Sequence, residues 1–577
     1  MTHNQPAPAG AAASDAAAEE EFSRLLTALH AQRPLRHPEL REAARALDGD
    51  RPDIAARLLA PFLRKHPGDV DALNLMADAL LRQERKSEAE ALLAQCVARA
   101  PGFDLARLNY TNALQQMNKP ASALEQVEIL LRKEPRHPLY RDVQAVALSA
   151  MGRHEAALAT RKSLAGDYPD SSNVQVSYAQ VLRTSGLQEE CVAAFRKAIS
   201  INPAMGVAWW GLADLRTFKF ESADIAQLQA QLLRRDVSAG DRVRLLFTLG
   251  KAFGDLGQYR ESFDAYARAN ATRRLASKYD LAHASRQLAK FEALYTPDFF
   301  RARAGSGSDS TEPVFVVSMQ RAGSTLLEQM LASHSAIEGA GELAHTRFLA
   351  RRLEDGLGPQ YGTDYPGVLA HIEPSEFRAL GEEYLTATLP RRPLGRTFFI
   401  DKDPYNFWHI GFYQLMLPNA RIIDIRRHPL GCCFSNFTSI FLHGLAHTYK
   451  LTDLGHFYAN YVEMMAHYDR VLPGKVYRVH YEDLIDDPER EIRRLLAWLD
   501  LPFEAACLDF HGNKRAVNSA SSEQVRSPLF RDALERWRHY EPWLGPLKAA
   551  LGPVLELYPE VPDFAGPLQS GNPSGEG

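Results

Sequence analysis

Cysteine is scarce in this chain. Five thiols, Cys96, Cys191, Cys432, Cys433 and Cys507, are scattered over 577 residues. An odd set with no Cys-x-x-Cys pair argues against a disulfide framework and against a cysteine zinc site. The adjacent Cys432 and Cys433 stand in an apolar run and read as small packed hydrophobes. Long apolar runs are missing too. No stretch approaches the roughly 20 residues that cross a bilayer, so no membrane span is expected. Nor does one charge dominate: 67 Lys and Arg stand against 71 Asp and Glu, a formal net charge of −4. No global basic field therefore points to nucleic acid. Residues 1–20 are rich in alanine and end acidic, without the basic start and apolar core of a secretion signal. The simplest compartment is a reducing cytoplasm.

The composition is globular, with 45% hydrophobic and 24% charged residues, and the length predicts two or three domains rather than one core. Pro67, Pro101, Pro135, Pro169 and Pro203 recur at a constant spacing of 34 residues. Ten positions after each proline stand Ala77, Thr111, Ala145, Ala179 and Ala213; twenty-two positions after the first four stand Ala89, Ala123, Ala157 and Cys191. Small residues at these places let two helices approach closely. The register fails at Ile225, and "LGKAFGDLGQYRESF" then reads as one more unit within 247–269. The pattern resembles tetratricopeptide repeats over residues 35–275, which predicts an all-α solenoid of stacked helix pairs. Such a surface either holds a peptide or protein or only supports a neighbouring domain or a dimer. The ends, residues 1–20 and 566–577, read as disordered.

"RARAGSGSDSTEP" (301–313) has linker chemistry, and the β-branched run "VFVVS" (314–318) follows it. Further strands are predicted at 397–400, 421–425 and 476–479, separated by helices such as 454–471 and 488–500. Alternation of this kind predicts an α/β three-layer domain with a mostly parallel sheet over residues 312–560. In such sheets ligands sit beyond the carboxyl ends of the strands.

The first strand runs into "QRAGST" (320–325). Gly323 relieves crowding, Arg321 adds a cation, Ser324 and Thr325 add hydroxyls, and backbone amides complete an anion cradle. The same residues also suit a plain turn before a helix. A nucleoside triphosphatase would carry Gly-Lys-Ser/Thr here, so a nucleotide-dependent kinase is disfavoured. The histidines, His443 and His447 among them, show no metal-ligand spacing.

The segment "QRAGSTLLEQMLASHSAIEGAGEL" resembles tetratricopeptide-containing sulfotransferases of bacterial type, which are similar to protein-tyrosine sulfotransferases. The chain keeps Arg321, Gly323, Ser324, Thr325, His334, Gly341 and Glu342 of that pattern, and departs from it with Gln320 for proline and Ala322 for serine. The resemblance implies a phosphosulfate-binding loop over residues 321–325, Ala322 included. The sulfuryl donor would be 3′-phosphoadenosine 5′-phosphosulfate (PAPS), used without a metal. Glu342 matches the catalytic base, which must take a proton as the acceptor hydroxyl attacks sulfur; an ordinary surface glutamate is the plainer account. Lys402, past the second predicted strand, matches the lysine that offsets developing charge, or else is a surface lysine paired to Asp401 or Asp403. Arg427 and Ser435 match the pair on the donor's 3′-phosphate, although His428 replaces the family's acid. Arg426 is turned the other way by strand alternation. Tyr481 matches a donor-contacting tyrosine or is structural. In the late loop, Ser521 matches a serine that assists the transition state, Arg526 a cationic position and Arg536 a basic residue reaching phosphate.

The implied enzyme transfers a sulfuryl group to an acceptor hydroxyl, with a peptide or protein tyrosine favoured and a glycan or small molecule left open. The competing class is a repeat scaffold or adaptor with an inactive sulfotransferase-like domain. A homodimer is compatible with either.

Overall fold

The computed structural model describes Leu25, Leu29 and residues 33–564, apart from residues 84, 118, 216, 217, 276, 278, 442–444 and 513–531. The ends read as disordered, together with Ser521, Arg526 and His443, lie outside the described residues. The chain divides into two compact units, Met1–Leu212 and Ala213–Gly577.

In the first unit, helices of 14 and 13 residues alternate from Pro52–Lys65 to Gln188–Ile201. The recurrent prolines lie in the turns between them, where a missing N–H breaks no helical hydrogen bond. Ala77, Thr111, Ala145 and Ala179 are fully buried, as are Ala89, Ala123, Ala157 and Cys191. The repeated small residues are thus where helices touch, and a longer side chain at any of them would push a pair apart.

The second unit begins with helical pieces. Helices Ala239–Asp255 and Tyr259–Leu275 pack on each other as one further hairpin. Gly250 meets the Tyr266 ring so closely that a Cβ there would lie 2.8 Å from it. Residues 213–275, expected with the repeats, therefore share a compact unit with the sheet.

That sheet has five parallel strands: β1 (Pro313–Val317), β2 (Ile337–Gly341), β3 (Phe398–Lys402), β4 (Arg421–Arg426) and β5 (Val476–His480). Their order is β2-β3-β1-β4-β5. The all-α repeat region and the α/β parallel sheet agree with the expected fold class. Strand β2 was not anticipated, because "IEGAG" carries two glycines and a glutamate where strands favour β-branched residues.

Alternation sorts the strand side chains between two helical layers. Val314, Val316, Ile423 and Ile425 pack with Leu327, Met330, Ile492 and Leu495 on one face. On the other, the Phe315 ring stacks 3.6 Å from Tyr413. Chains leaving β1 and β4 turn toward opposite edges of the sheet, which makes their carboxyl ends the switch point where such sheets take ligands.

Candidate active site

Along the carboxyl edge, in sheet order, stand Glu342 after β2, Lys402 at the end of β3, residues 318–323 after β1, Arg427 after β4 and Tyr481 after β5. Strand order, rather than chain order, makes these residues neighbours.

The loop after β1 is held in an uncommon conformation. Arg321 has φ +64° and Gly323 φ +103°, both left-handed, and only glycine adopts that region freely. Residues in such alternation turn successive amides toward one concave side. Helix Ser324–Leu331 starts immediately after, and all eight of its residues are buried. The loop's entry is pinned through Gln320, whose carbonyl accepts from Asn436 Nδ2 at 2.8 Å and from Cys432 Sγ at 3.2 Å. Cys432 is thus more than a packed hydrophobe. Burial pushes its thiol up to about 12, so it stays a protonated donor.

Arg321, Arg427 and Ser435 converge at this switch point. Arg321 Nε donates to Ser435 Oγ at 3.2 Å, and Arg427 Nη1 donates to the Arg321 carbonyl at 3.1 Å. Tyr481 closes this cluster: its ring lies 5.1 Å from the Arg427 guanidinium carbon. It also covers Gly323, where a Cβ would lie 2.3 Å from Tyr481 Cδ2. The Arg427 main chain is fixed by Tyr458, whose hydroxyl donates to its carbonyl at 2.6 Å.

His428 stands where the family resemblance has an acid. Its amide donates to Glu482 Oε1 at 3.0 Å, and Tyr558 O–H donates to Glu482 Oε2 at 2.7 Å. The ring of His428 stacks on Trp537 at 5.0 Å, and burial lowers its pKa, which favours the neutral form. Glu482 therefore supplies a carboxylate to the His428 amide, one residue after Arg427, from the helix that follows β5. Arg426 points away, paired at 3.0 Å with the buried Asp424. Burial alone would raise Asp424, but Arg426 and Arg478 outweigh it and hold the carboxyl below its usual range.

Further along the edge, Lys402 Nζ donates to Glu342 Oε1 at 2.5 Å. The lysine side chain is 3% exposed and the glutamate side chain 47%. A buried ammonium needs a partner, and that partner is Glu342 rather than the neighbouring Asp401 or Asp403. Asp403 instead pairs with Arg347 at 3.0 Å. Glu342 is held from both sides. The Gly341 amide donates to buried Glu328 Oε1 at 3.0 Å, and the Leu343 amide to Asp401 Oδ1 at 3.4 Å. Asp401 is fully buried; burial pushes it up to about 8, partly opposed by the hydrogen bond from Tyr384.

Of the residues singled out in the sequence, Arg321, Gly323, Arg427, Ser435 and Tyr481 meet in one cluster, with buried Ala322, Ser324 and Thr325 beside them. Glu342 and Lys402 form a pair. Arg536 is placed against Tyr266 and Tyr540, beside the 239–275 hairpin. The sequence reading missed Glu328, Asp401, Tyr458 and Glu482 as supports. Glu328 carried one usable signal, a carboxylate between the apolar pairs Leu326–Leu327 and Met330–Leu331.

Among the described residues, no group of three or more His, Cys, Asp or Glu is placed to hold a metal. No described helix is long and apolar enough to cross a membrane.

A model of the sulfotransferase family matches residues 313–505, and a tetratricopeptide-repeat model matches residues 173–205. Residues 313–505 are a sulfotransferase-family domain. An uncharacterised Aquifex aeolicus protein is 28% identical over 387 residues, covering 66% of this chain and 50% of that protein. Protein-tyrosine sulfotransferase 1 of Danio rerio is 23% identical over 247 residues, covering 39% of this chain and 65% of its own. These matches thus span half to just under two thirds of the relatives' own lengths. The solved sulfotransferase domain from the curacin biosynthetic pathway aligns at 17% identity and a TM-score of 0.27, covering 41% of this chain and 99% of that one.

Proposed function

We propose that this sulfotransferase domain moves a sulfuryl group from PAPS to an acceptor hydroxyl, with a peptide or protein tyrosine as the favoured acceptor. The observation that carries the reading is the Lys402–Glu342 pair, on the same carboxyl edge of the sheet as the Arg321–Arg427–Ser435 cluster. The groups at the loop are cations, hydroxyls and backbone amides, a donor set that fits an anionic phosphosulfate and a nucleotide phosphate without a metal.

The bound donor supplies the sulfuryl group. Residues 321–325 hold its 5′-phosphosulfate, Arg427 and Ser435 hold the 3′-phosphate, and Tyr481 packs beside them. Glu342, the exposed member of its pair, accepts the acceptor hydroxyl's proton on a carboxylate oxygen. Lys402 and Arg321 offset negative charge as the bond to the leaving phosphate breaks. Ser521 and Arg526 assist from the late loop, and Arg536 is the further basic residue of that region. Preorganised cations and a positioned base, rather than a covalent intermediate, provide the catalysis.

The similarity to a protein-tyrosine sulfotransferase supports the tyrosine acceptor, and the repeat array supports a peptide or protein partner, or a second copy of the chain. Five buried thiols suit a reducing cytoplasm.

Calorimetry with adenosine 3′,5′-bisphosphate and acceptor assays test the reading. Arg427→Ala should weaken binding roughly 10- to 100-fold. Glu342→Gln should keep binding and lower kcat roughly 10²- to 10⁴-fold. Wild-type protein that binds no bisphosphate overturns the donor assignment, and sulfation confined to carbohydrates overturns the tyrosine acceptor.

A further inference from the structure

Helix Pro429–Phe437 carries Ser435 in its last turn, where carbonyls lack intrahelical partners. Three of these carbonyls are satisfied locally. Phe434 O accepts from Thr438 N at 3.1 Å, Ser435 O from Ser439 Oγ at 2.7 Å and Asn436 O from Ser439 N at 3.1 Å. The fourth, Phe437 O, accepts from Asn270 Nδ2 at 2.8 Å. Asn270 lies on the Tyr259–Leu275 helix and is 2% exposed.

The contact is continued on both sides. Phe263 stacks on Phe437 at 5.9 Å, and Arg273 Nη2 donates to Phe441 O at 2.8 Å while lying 4.2 Å from the Tyr449 ring. The same helix grips the segment that follows the late loop. Tyr259 stacks on His539 at 4.4 Å, and Ser262 Oγ shares a 2.9 Å hydrogen bond with Tyr540 O–H. One repeat-like hairpin thus braces two elements that flank the proposed nucleotide site.

We infer that Asn270 is a positioning residue for the 3′-phosphate: by capping Phe437 it fixes the turn that presents Ser435 to Arg321, and it makes the hairpin a structural wall of the nucleotide site. The inference rests on the donor assignment proposed above. An amide side chain suits the task because it donates without adding charge, whereas a carboxylate would face the negative end of the helix dipole.

The test compares adenosine 3′,5′-bisphosphate with adenosine 5′-monophosphate by calorimetry, in wild type and in Asn270→Asp, a variant of nearly unchanged size. Wild type should prefer the bisphosphate. Asn270→Asp should lose about tenfold of that preference, the scale of one misplaced hydrogen bond to a charged group, with monophosphate affinity unchanged. An equal loss for both ligands, or full retention in a folded variant, overturns the positioning role. A wild type without preference for the bisphosphate overturns the donor assignment instead. Should Asn270→Asp fail to fold, hydrogen exchange on the wild type decides. Bisphosphate binding should slow exchange in 259–275 together with 429–441, and protection of 429–441 alone overturns the inference.

Discussion

At Gly323 the site depends on a side chain that is not there. The residue combines φ +103° with a Tyr481 ring in the space a Cβ would fill. Gly323→Ala is expected to destabilise the fold by about 1–3 kcal/mol and to weaken bisphosphate binding, since relief would displace Tyr481 or flatten the loop. Urea unfolding and calorimetry read the two effects, and unchanged affinity would refute the account. Asp401 gives a prediction with a pH sign. In the unfolded chain its carboxyl ionises near pH 4, while burial in the folded protein holds the proton until about 8. Its contribution is therefore whole below pH 4 and declines as pH rises to about 8. Asp401→Asn never titrates, and its amide can donate to the Tyr384 oxygen. Relative to wild type, the variant should gain stability between pH 5 and 8 by on the order of 1–4 kcal/mol. Parallel pH profiles for the two proteins would count against it.

At the scale of elements, helix Ser324–Leu331 links the proposed phosphate loop to the proposed base. Its first residues follow Gly323, and Glu328 on the next turn accepts from Gly341, one residue before Glu342. Glu328→Ala should lower kcat about tenfold through misplacement of Glu342, a loss equivalent to about 1.4 kcal/mol, with bisphosphate affinity nearly kept. Glu328→Gln retains an acceptor oxygen and should restore most of the rate. Steady-state kinetics with both variants check this, and equal losses would indicate a charge effect instead. Legibility differed between elements. Strands β1, β3 and β4 announce themselves by apolar runs, because strands buried on both faces need them, while the half-buried edge strand β5 shows only the strand-favouring Val476, Tyr477 and Val479. Strand β2 does not, since "IEGAG" is held by its pairing with β3 rather than by its own propensity. Glu342 was consequently readable through the family resemblance but not as a residue at a strand end.

For the molecule as a whole, the thiols report on both units at once. Cys96 and Cys191 lie in the helical unit, and Cys432, Cys433 and Cys507 in the unit with the sheet; all five are buried. Burial raises Cys96 and Cys432 to about 12 and Cys507 to about 11, and thiols are unreactive when protonated and shielded. Native protein at pH 8 should react slowly at every cysteine with dithiobis(2-nitrobenzoate), and unfolded protein should give five equivalents. A fast-reacting native thiol would contradict the burial of whichever unit holds it.

The sequence by itself determined the helical repeat, because a constant period of 34 residues with small side chains at fixed offsets is a local requirement of stacked helix pairs. It also determined a parallel sheet with cationic and hydroxyl side chains just after its strands. Only the tertiary structure decided that Lys402 pairs with Glu342 and not with an adjacent aspartate. Likewise, only the fold places Glu482 on the His428 amide and the cap of the Ser435 helix on Asn270. The physical reason is the same each time: strand order and helix packing join residues far apart in the chain, and a buried charge or carbonyl takes the partner that packing brings, wherever that partner lies in the sequence.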